Sequence, residues 1–523
     1  MRKFLMAVAM VGLAIAVATP AMALDFKFGA EYRIRFYDYN NINFDSNNTL
    51  YRGNPRGVQI RVRPRFDVSD DNGNIAATIR FEYGDTTWGA GGGANGSSFG
   101  SNGNNNIVQA PGNNRVGNNA GGSIGADGVA LETKWAFIDF AIPNIPLRVR
   151  AGIQPWYLPK GLVIDDDAAG VRAYGNYGNF NYEAFWYRVA KTPTNQVNTF
   201  SGNGANIPGS DQTKDNNFDY FGLKLGYNFA QWLNASAWYM YGANSVNCTT
   251  GTQVIPTSGY GQFNTLYCPG NDRGRNQNWI GLDLTGKVST IEWDLDFAYG
   301  EAKGGTNGSY TKATALVGTN NYDILNTQPI DVKGWAIDGG VHIPFGPVKV
   351  NLLGTYASGD KGDSTSSSTS DAFPLGPGPS WSGAGGQFEL IGEGGAFDVY
   401  SMTQHGPTGL WMLGTSIEYV PVKALWLKLW GGYAGFTSKW GNCAWAYNPN
   451  TGALNGGNSC FGPVYIGKPS DNMIGKSGLG WEFGLRADYT MWTGFKVQTM
   501  AGWLFPSAGD VAGKYIIQLL YNF

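Results

Sequence analysis

Between Val58 and Val68 apolar and polar residues alternate, and this alternation limits what the chain can fold into. Val58, Ile60, Val62, Phe66 and Val68 fall on one side, and Gln59, Arg61, Arg63, Arg65 and Asp67 on the other. Successive side chains of a strand point to opposite faces, so a strand standing between hydrocarbon and water reads in this way. Leu24 to Tyr37 repeats the pattern, with Phe26, Phe28, Ala30, Tyr32, Ile34 and Phe36 opposing Lys27, Glu31, Arg33 and Arg35. So do Ile291, Trp293, Leu295, Phe297 and Tyr299 against Glu292, Asp294 and Asp296. A soluble sandwich also alternates, but it buries its apolar face. It has no need for Trp156, Tyr157, Trp232, Trp440, Trp492 and Trp503 near strand ends, where a membrane barrel carries an aromatic girdle. Pro64 cannot donate a ladder hydrogen bond, so a bulge or local irregularity is expected there. The alternation of Val129 to Ile142 changes phase around Trp135, leaving the direction of Glu132 and Lys134 open.

Turn signals divide the chain into eighteen strands, with sixteen as the nearest alternative count. They start near 24, 57, 74, 129, 147, 168, 180, 218, 232, 276, 290, 331, 348, 406, 425, 478, 495 and 512. Even-numbered strands end in tight Gly, Pro and Asx turns such as Asp70–Gly73, Pro143–Pro146, Pro344–Pro347 and Thr493–Gly494. Odd-numbered strands mostly end in long segments, including Gly89 to Gly128, Pro193 to Asn217, Val246 to Arg275, Gly362 to His405 and Gly441 to Ser477. Short periplasmic turns and long extracellular loops are the asymmetry of an all-β, transmembrane antiparallel β-barrel.

The start of the chain fits that destination. Arg2 and Lys3 precede an apolar run from Phe4 to Ala18, and Ala21-Met22-Ala23 supplies a small-residue cleavage pattern. Residues 1–23 therefore read as a signal peptide and 24–523 as the barrel, bound for the bacterial outer membrane. Charged residues make up 15% of the chain, against ~25% in ordinary soluble domains. A formal net charge of −2 excludes a polybasic surface, so no nucleic-acid partner is expected. Cys248 and Cys268 fall in one long loop and Cys443 and Cys460 in another. Four cysteines allow three pairings. Pairing within each loop is the simplest, in an oxidising compartment. The spacings are not those of zinc sites. Tyr515, Ile517, Leu519, Tyr521 and Phe523 share one face of the last strand. Ending on Phe523 behind Tyr521 resembles the terminal signal read by the barrel-assembly machinery. That machinery, outer-membrane lipid and lipopolysaccharide are the expected partners.

The third outward connection, near 154–168, stands apart. Gln154 to Asp167 is more hydrophobic than the other loops and closes on Asp165, Asp166 and Asp167. A loop of this kind is expected to fold into the lumen as a constriction, its aspartates opposed to lumen-side Arg33, Arg35, Arg61, Arg63, Arg65, Arg80, Arg148, Arg150 and Arg172. Opposed rows of fixed charge orient water and tune ion preference. A plainer role suits the arginines equally, as solvated wall residues paired with Glu31, Glu82 and Asp67. The aspartates also suit a loop site for Ca²⁺, although no cofactor or metal is required.

Four short pieces carry a resemblance. They are Gly84-Asp85-Thr86-Thr87-Trp88-Gly89, Gly125-Ala126-Asp127-Gly128, Arg148-Val149-Arg150-Ala151-Gly152-Ile153-Gln154 and Asp165-Asp166-Asp167-Ala168-Ala169-Gly170. With them, the stretch from Phe81 to Arg188 resembles the homotrimeric outer-membrane porins of sulfate-reducing bacteria. The resemblance covers about a fifth of the chain, and beyond it the likeness is one of layout. It implies a homotrimer and general diffusion, but no solute preference, because the outer loops of that family vary.

The leading expectation is a porin, a water-filled channel for passive diffusion of small hydrophilic solutes and ions. A substrate-specific channel for an anion or sugar is the nearer alternative, and a loop-borne adhesin or receptor is more distant. A barrel enzyme is the alternative of another class. His342 and His405 are the only histidines, and neither sits in a catalytic motif, so catalysis is not expected.

Overall fold

The computed structural model describes residues 24–41, 56–88, 131–192, 216–244, 276–302, 312–317, 320–325, 331–359, 369–371, 373–374, 381–392, 409–437, 478–507 and 509–523. The strands are β1 (Leu24–Asn40), β2 (Arg56–Asp70), β3 (Ile75–Thr87), β4 (Leu131–Ala141), β5 (Arg148–Tyr157), β6 (Asp165–Tyr177) and β7 (Phe180–Thr192). They continue as β8 (Asn216–Ala230), β9 (Leu233–Asn244), β10 (Gln277–Val288), β11 (Ile291–Ala302), β12 (Lys312–Val317), β13 (Asn320–Leu325) and β14 (Asp331–Phe345). The last are β15 (Val348–Ala357), β16 (Thr369–Ser370), β17 (Leu410–Val422), β18 (Leu425–Phe436), β19 (Gly478–Trp492), β20 (Phe495–Pro506) and β21 (Ala512–Asn522).

Nineteen of these share one sheet, and β12 and β13 form a separate hairpin. Apart from the two-residue β16, which runs parallel to β14, the sheet is antiparallel with each strand beside its neighbours in sequence. Pairing of β21 with β1 closes eighteen strands into a barrel. Closure removes the sheet edge, which hydrocarbon does not tolerate. The last residue takes part, since Phe523 and Ala30 exchange backbone hydrogen bonds of 3.1 and 2.9 Å. The connections of two to six residues after β2, β4, β6, β8, β10, β14, β17 and β19 lie at the end of the barrel where β1 begins and β21 finishes, whereas the short β5–β6 and β20–β21 connections lie at the other end.

The two faces have opposite chemistry. Phe26, Leu413, Leu429 and Ile517 are exposed on the outside, whereas Arg33, Arg35, Asp139, Asp338, Lys428, Glu482 and Lys514 are buried inside. An apolar exterior repeated around every strand far exceeds the patches that soluble monomers expose. Trp232 and Trp492 stand exposed beside the short turns. Trp492 leads through Phe495 to Tyr521, where Phe28, Phe523 and Tyr521 form a contact chain with centroids 5.8 and 5.1 Å apart.

Several sequence expectations need correcting. Pro64 pairs regularly with Ala30 of β1, but on its β3 side the ladder is interrupted at Arg63 and Pro64, and a register shift lies further along, between Ile60 and Val62. There Gly84 adopts φ +121, and a Cβ on it would lie 2.5 Å from the Ile60 carbonyl oxygen, so the bulge depends on glycine opposite. A second bulge, between Arg80 and Phe81, skips Lys134 on β4. This accounts for the change of phase around Trp135: Lys134 and Glu132 both point inward and lie 3.4 Å apart. Trp156 belongs to the interior and not to a girdle, because it shares the face of Arg148, Arg150 and Gln154 and stacks on Tyr187 at 4.4 Å. Residues 1–23, Trp440, His405 and all four cysteines lie outside the described residues.

Candidate functional site

The predicted arginines project from the interior rows of β1, β2, β3, β5 and β6, and each has a partner on its own wall. Arg33 and Arg35 reach Asp85 at 2.6 and 3.4 Å. Arg61 binds Glu31 at 2.9 Å, Arg63 binds Glu82, and Arg65 binds Asp67 at 2.7 Å. Arg80 lies 4.6 Å above the Trp135 ring. Arg148 and Arg150 share Asp139 at 2.7 and 2.8 Å, and Arg172 meets Glu183 at 2.8 Å. This half of the lumen is a ladder of alternating charge.

Asp165, Asp166 and Asp167 are not loop residues. They open β6, paired with Tyr157, Trp156 and Pro155 of β5, because the ladder runs further outward than the sequence pattern indicated. Asp167 accepts a hydrogen bond from Trp135 Nε1 at 2.7 Å and lies 3.2 Å from Lys134. Its partners are thus on the arginine wall and not across from it. Among the described residues no group of three or more His, Cys, Asp or Glu side chains is arranged to hold a metal ion.

The segment that turns inward is Leu158 to Ile164. Leu158 N–H donates to the Ile164 carbonyl at 3.0 Å, closing a loop around a short 3-10 turn at Pro159–Gly161. Leu158, Val163 and Ile164 pack on Trp156, Phe185, Tyr187, Tyr220 and Trp238. Burial of these aliphatic side chains, at roughly 1.5–3 kcal/mol each, holds the loop inside. At its tip Lys160, with φ 55, carries a cation across the lumen. Its ammonium binds Asp294, lies 2.9 Å from Asp338 and 3.1 Å from Asp296. Burial opposes that charge, but the attraction of Asp338, Asp296 and Asp294 outweighs it and raises the lysine pKa, so Lys160 stays protonated. The loop therefore contributes a cation and the facing wall the aspartates, the reverse of the polarity the sequence suggested. His342 adjoins the cluster, 2.8 Å from both Asp294 and Asn351.

A second inward segment, residues 381–392, was not anticipated. Trp381, Phe388, Leu390 and Ile391 join a buried cluster with Tyr39, Met412, Trp430 and Leu504. Two wall carboxylates anchor it. Asp338 accepts from Trp381 Nε1 at 2.9 Å and from Ala384 N–H at 3.0 Å. Glu482 accepts from the N–H groups of Glu389, Leu390 and Ile391 at 2.7, 3.1 and 2.7 Å, and from Trp430 Nε1 at 2.9 Å. Two wall lysines donate in return, Lys428 to the Gln387 carbonyl and Lys514 to that of Glu389. The two inward segments meet where Ser382 N–H donates to the Lys160 carbonyl at 2.9 Å. The signal for this segment is Phe388, Leu390 and Ile391, clustered around Glu389 inside a Gly- and Ser-rich loop.

Phe388 fits because the wall opposite it is glycine. A Cβ on Gly414 would lie 2.1 Å from its ring and one on Gly432 2.7 Å. Gly414→Leu is therefore expected to expel the segment without unzipping β17. Proteinase K treatment of the reconstituted protein should then cut within 381–392, which holds no lysine or arginine for trypsin, while the barrel keeps its heat-modifiable gel mobility. Unchanged protease resistance would contradict this packing.

No protein-family model matches the chain, and no curated protein sequence matches it either. Among solved structures it is similar to OccAB4 of Acinetobacter baumannii, at 12% identity over 96% of this chain and 99% of that one, with a TM-score of 0.48. OccK8 (OprE) of Pseudomonas aeruginosa gives 11% identity over 95% and 98%, with a TM-score of 0.47. The outer membrane protein OpdK of the same organism, also solved with vanillate, gives 10% identity over 95% and 99%, with a TM-score of 0.46. The likeness is one of barrel layout.

Proposed function

We propose that this chain is an outer-membrane channel through which small hydrophilic solutes and ions diffuse down their gradients. The observation that carries this reading is the reversal of soluble-protein anatomy. Apolar rows face outward, while arginine, carboxylate and amide rows line much of the interior in place of a continuous packed core. An interior of that kind is hydrated, and eighteen strands is a size at which a lumen remains. The segments 158–164 and 381–392 narrow that lumen, and their junction at Lys160 is its selective point. The narrowing favours, as a second reading, a channel selective for a particular anion or sugar. Assembly as a homotrimer related to the porins of sulfate-reducing bacteria rests on the resemblance of Phe81 to Arg188. Recognition by the barrel-assembly machinery rests on Tyr521 and Phe523, and contact with lipid and lipopolysaccharide on the apolar exterior. No catalytic role is assigned to His342, whose ring is held by Asp294 and Asn351.

Neutralising Asp165, Asp166 and Asp167 to asparagine tests whether the outer end of the arginine wall shapes the permeation field. It should move the reversal potential in a salt gradient toward anion preference. An unchanged reversal potential would remove these residues from the permeation path.

A further inference from the structure

We propose that the interior at the short-turn end of β6 to β10 is a binding subsite for a neutral polyhydroxylated solute, of mono- or disaccharide size. The proposal deepens the channel reading and rests on it for the solute's access. A cavity of about 340 Å³ lies there, lined by the interior rows of these five strands. That volume falls within the ~300–1,000 Å³ of small-molecule sites.

Its charged lining is balanced. Arg172 meets Glu183 at 2.8 Å, and Lys224 lies 3.7 Å from Asp283, which also accepts from Ser236 Oγ at 3.0 Å. Two cations and two anions in matched pairs leave no net field to recruit an ion of either sign. The other polar lining is neutral. Asn176, Asn181, Asn228, Asn234 and Thr285 face the cavity, and their side chains make no hydrogen bond to another described residue. Register places them side by side: Asn176 opposes Asn181, and Asn234 opposes both Asn228 and Thr285.

Each amide offers two donors and an acceptor oxygen. A row of vicinal hydroxyls, each both donor and acceptor, matches that arrangement. One polyol would replace several separately immobilised waters. A small anion would find donors in the amides but no excess of positive charge to offset its desolvation, because Arg172 and Lys224 are matched to Glu183 and Asp283.

The test uses the full-length protein in detergent, with maltose, acetate and glycine as separate probes in saturation-transfer NMR. Planar-bilayer conductance is recorded on the same preparations. Maltose should bind saturably to the unmodified protein. An Asn181→Ala/Asn234→Ala variant should lose about fivefold or more in apparent affinity, as expected for two hydrogen bonds removed, with its gel mobility and conductance kept. Absence of saturable maltose binding, equal affinity in the variant, or binding of acetate or glycine in its place would overturn the proposal. The channel reading is separable. A barrel that conducts but does not bind maltose refutes the subsite alone, and one that binds maltose but carries no current refutes the channel alone.

Discussion

Replacing residues 381–391 with a short Gly-Ser linker should raise single-channel conductance several-fold while leaving the barrel assembled. That segment fills one side of the interior with Trp381, Phe388, Leu390 and Ile391, whereas the wall behind it closes through its own ladders, β15 to β17, β17 to β18 and β18 to β19. A single substitution should do part of the same work. Glu482 accepts three backbone N–H groups of the segment. Hydrogen bonds to a charged group contribute about 1.5–3 kcal/mol each, and buried donors left without an acceptor cost about 1–3 kcal/mol. Glu482→Ala should therefore loosen the segment, giving a noisier current with larger open steps. Unchanged conductance in both variants would mean that ions pass where the segment is not.

The second large effect is expected at Lys160. Its ammonium faces Asp294, Asp296 and Asp338, so Lys160→Glu changes the local charge by two units and sets four carboxylates together. Unit charges 4 Å apart interact by about 4 kcal/mol at an effective dielectric of ~20. Even if salt screening leaves a third of that, the cation-to-anion permeability ratio should rise about tenfold. Reversal potentials across a salt gradient measure it directly. Lys160→Ala should move the ratio the same way by less, and it should also weaken the contact between the two inward segments, because a buried carboxylate cluster loses its counter-ion. A ratio unmoved in both variants would take the junction out of the permeation path.

Much of the barrel was legible because its information is local. The alternation of Val58 to Val68 sets the face of every residue there, and the same reading starts β1, β7, β14, β15, β18, β19, β20 and β21 at the residues where the structure starts them. The parity rule also had the answer for Trp156, two positions beyond Gln154 and six beyond Arg150 on the interior row. Aromatic character points Trp156 toward the girdle, but its register points it inward, and register prevails. What the sequence could not supply were contacts across the lumen. Lys160 meets Asp294 and Asp338 over separations of 134 and 178 residues, and no periodicity links them. The hydrophobicity of the segment that turns inward, Leu158 to Ile164, does not say which of its charges leads. The three adjacent aspartates drew the prediction, yet they were taken up by the β5–β6 ladder. Phe388, Leu390 and Ile391 carry the same local signal, apolar residues inside a Gly- and Ser-rich connection.

Single-channel recording of the purified protein in a planar bilayer tests the central claim most directly. The account predicts discrete conductance steps that rise in proportion to salt concentration, grouped in threes if the assembly is a homotrimer. Absence of current under all salt and voltage conditions, from a preparation with an intact heat-modifiable barrel, would contradict it.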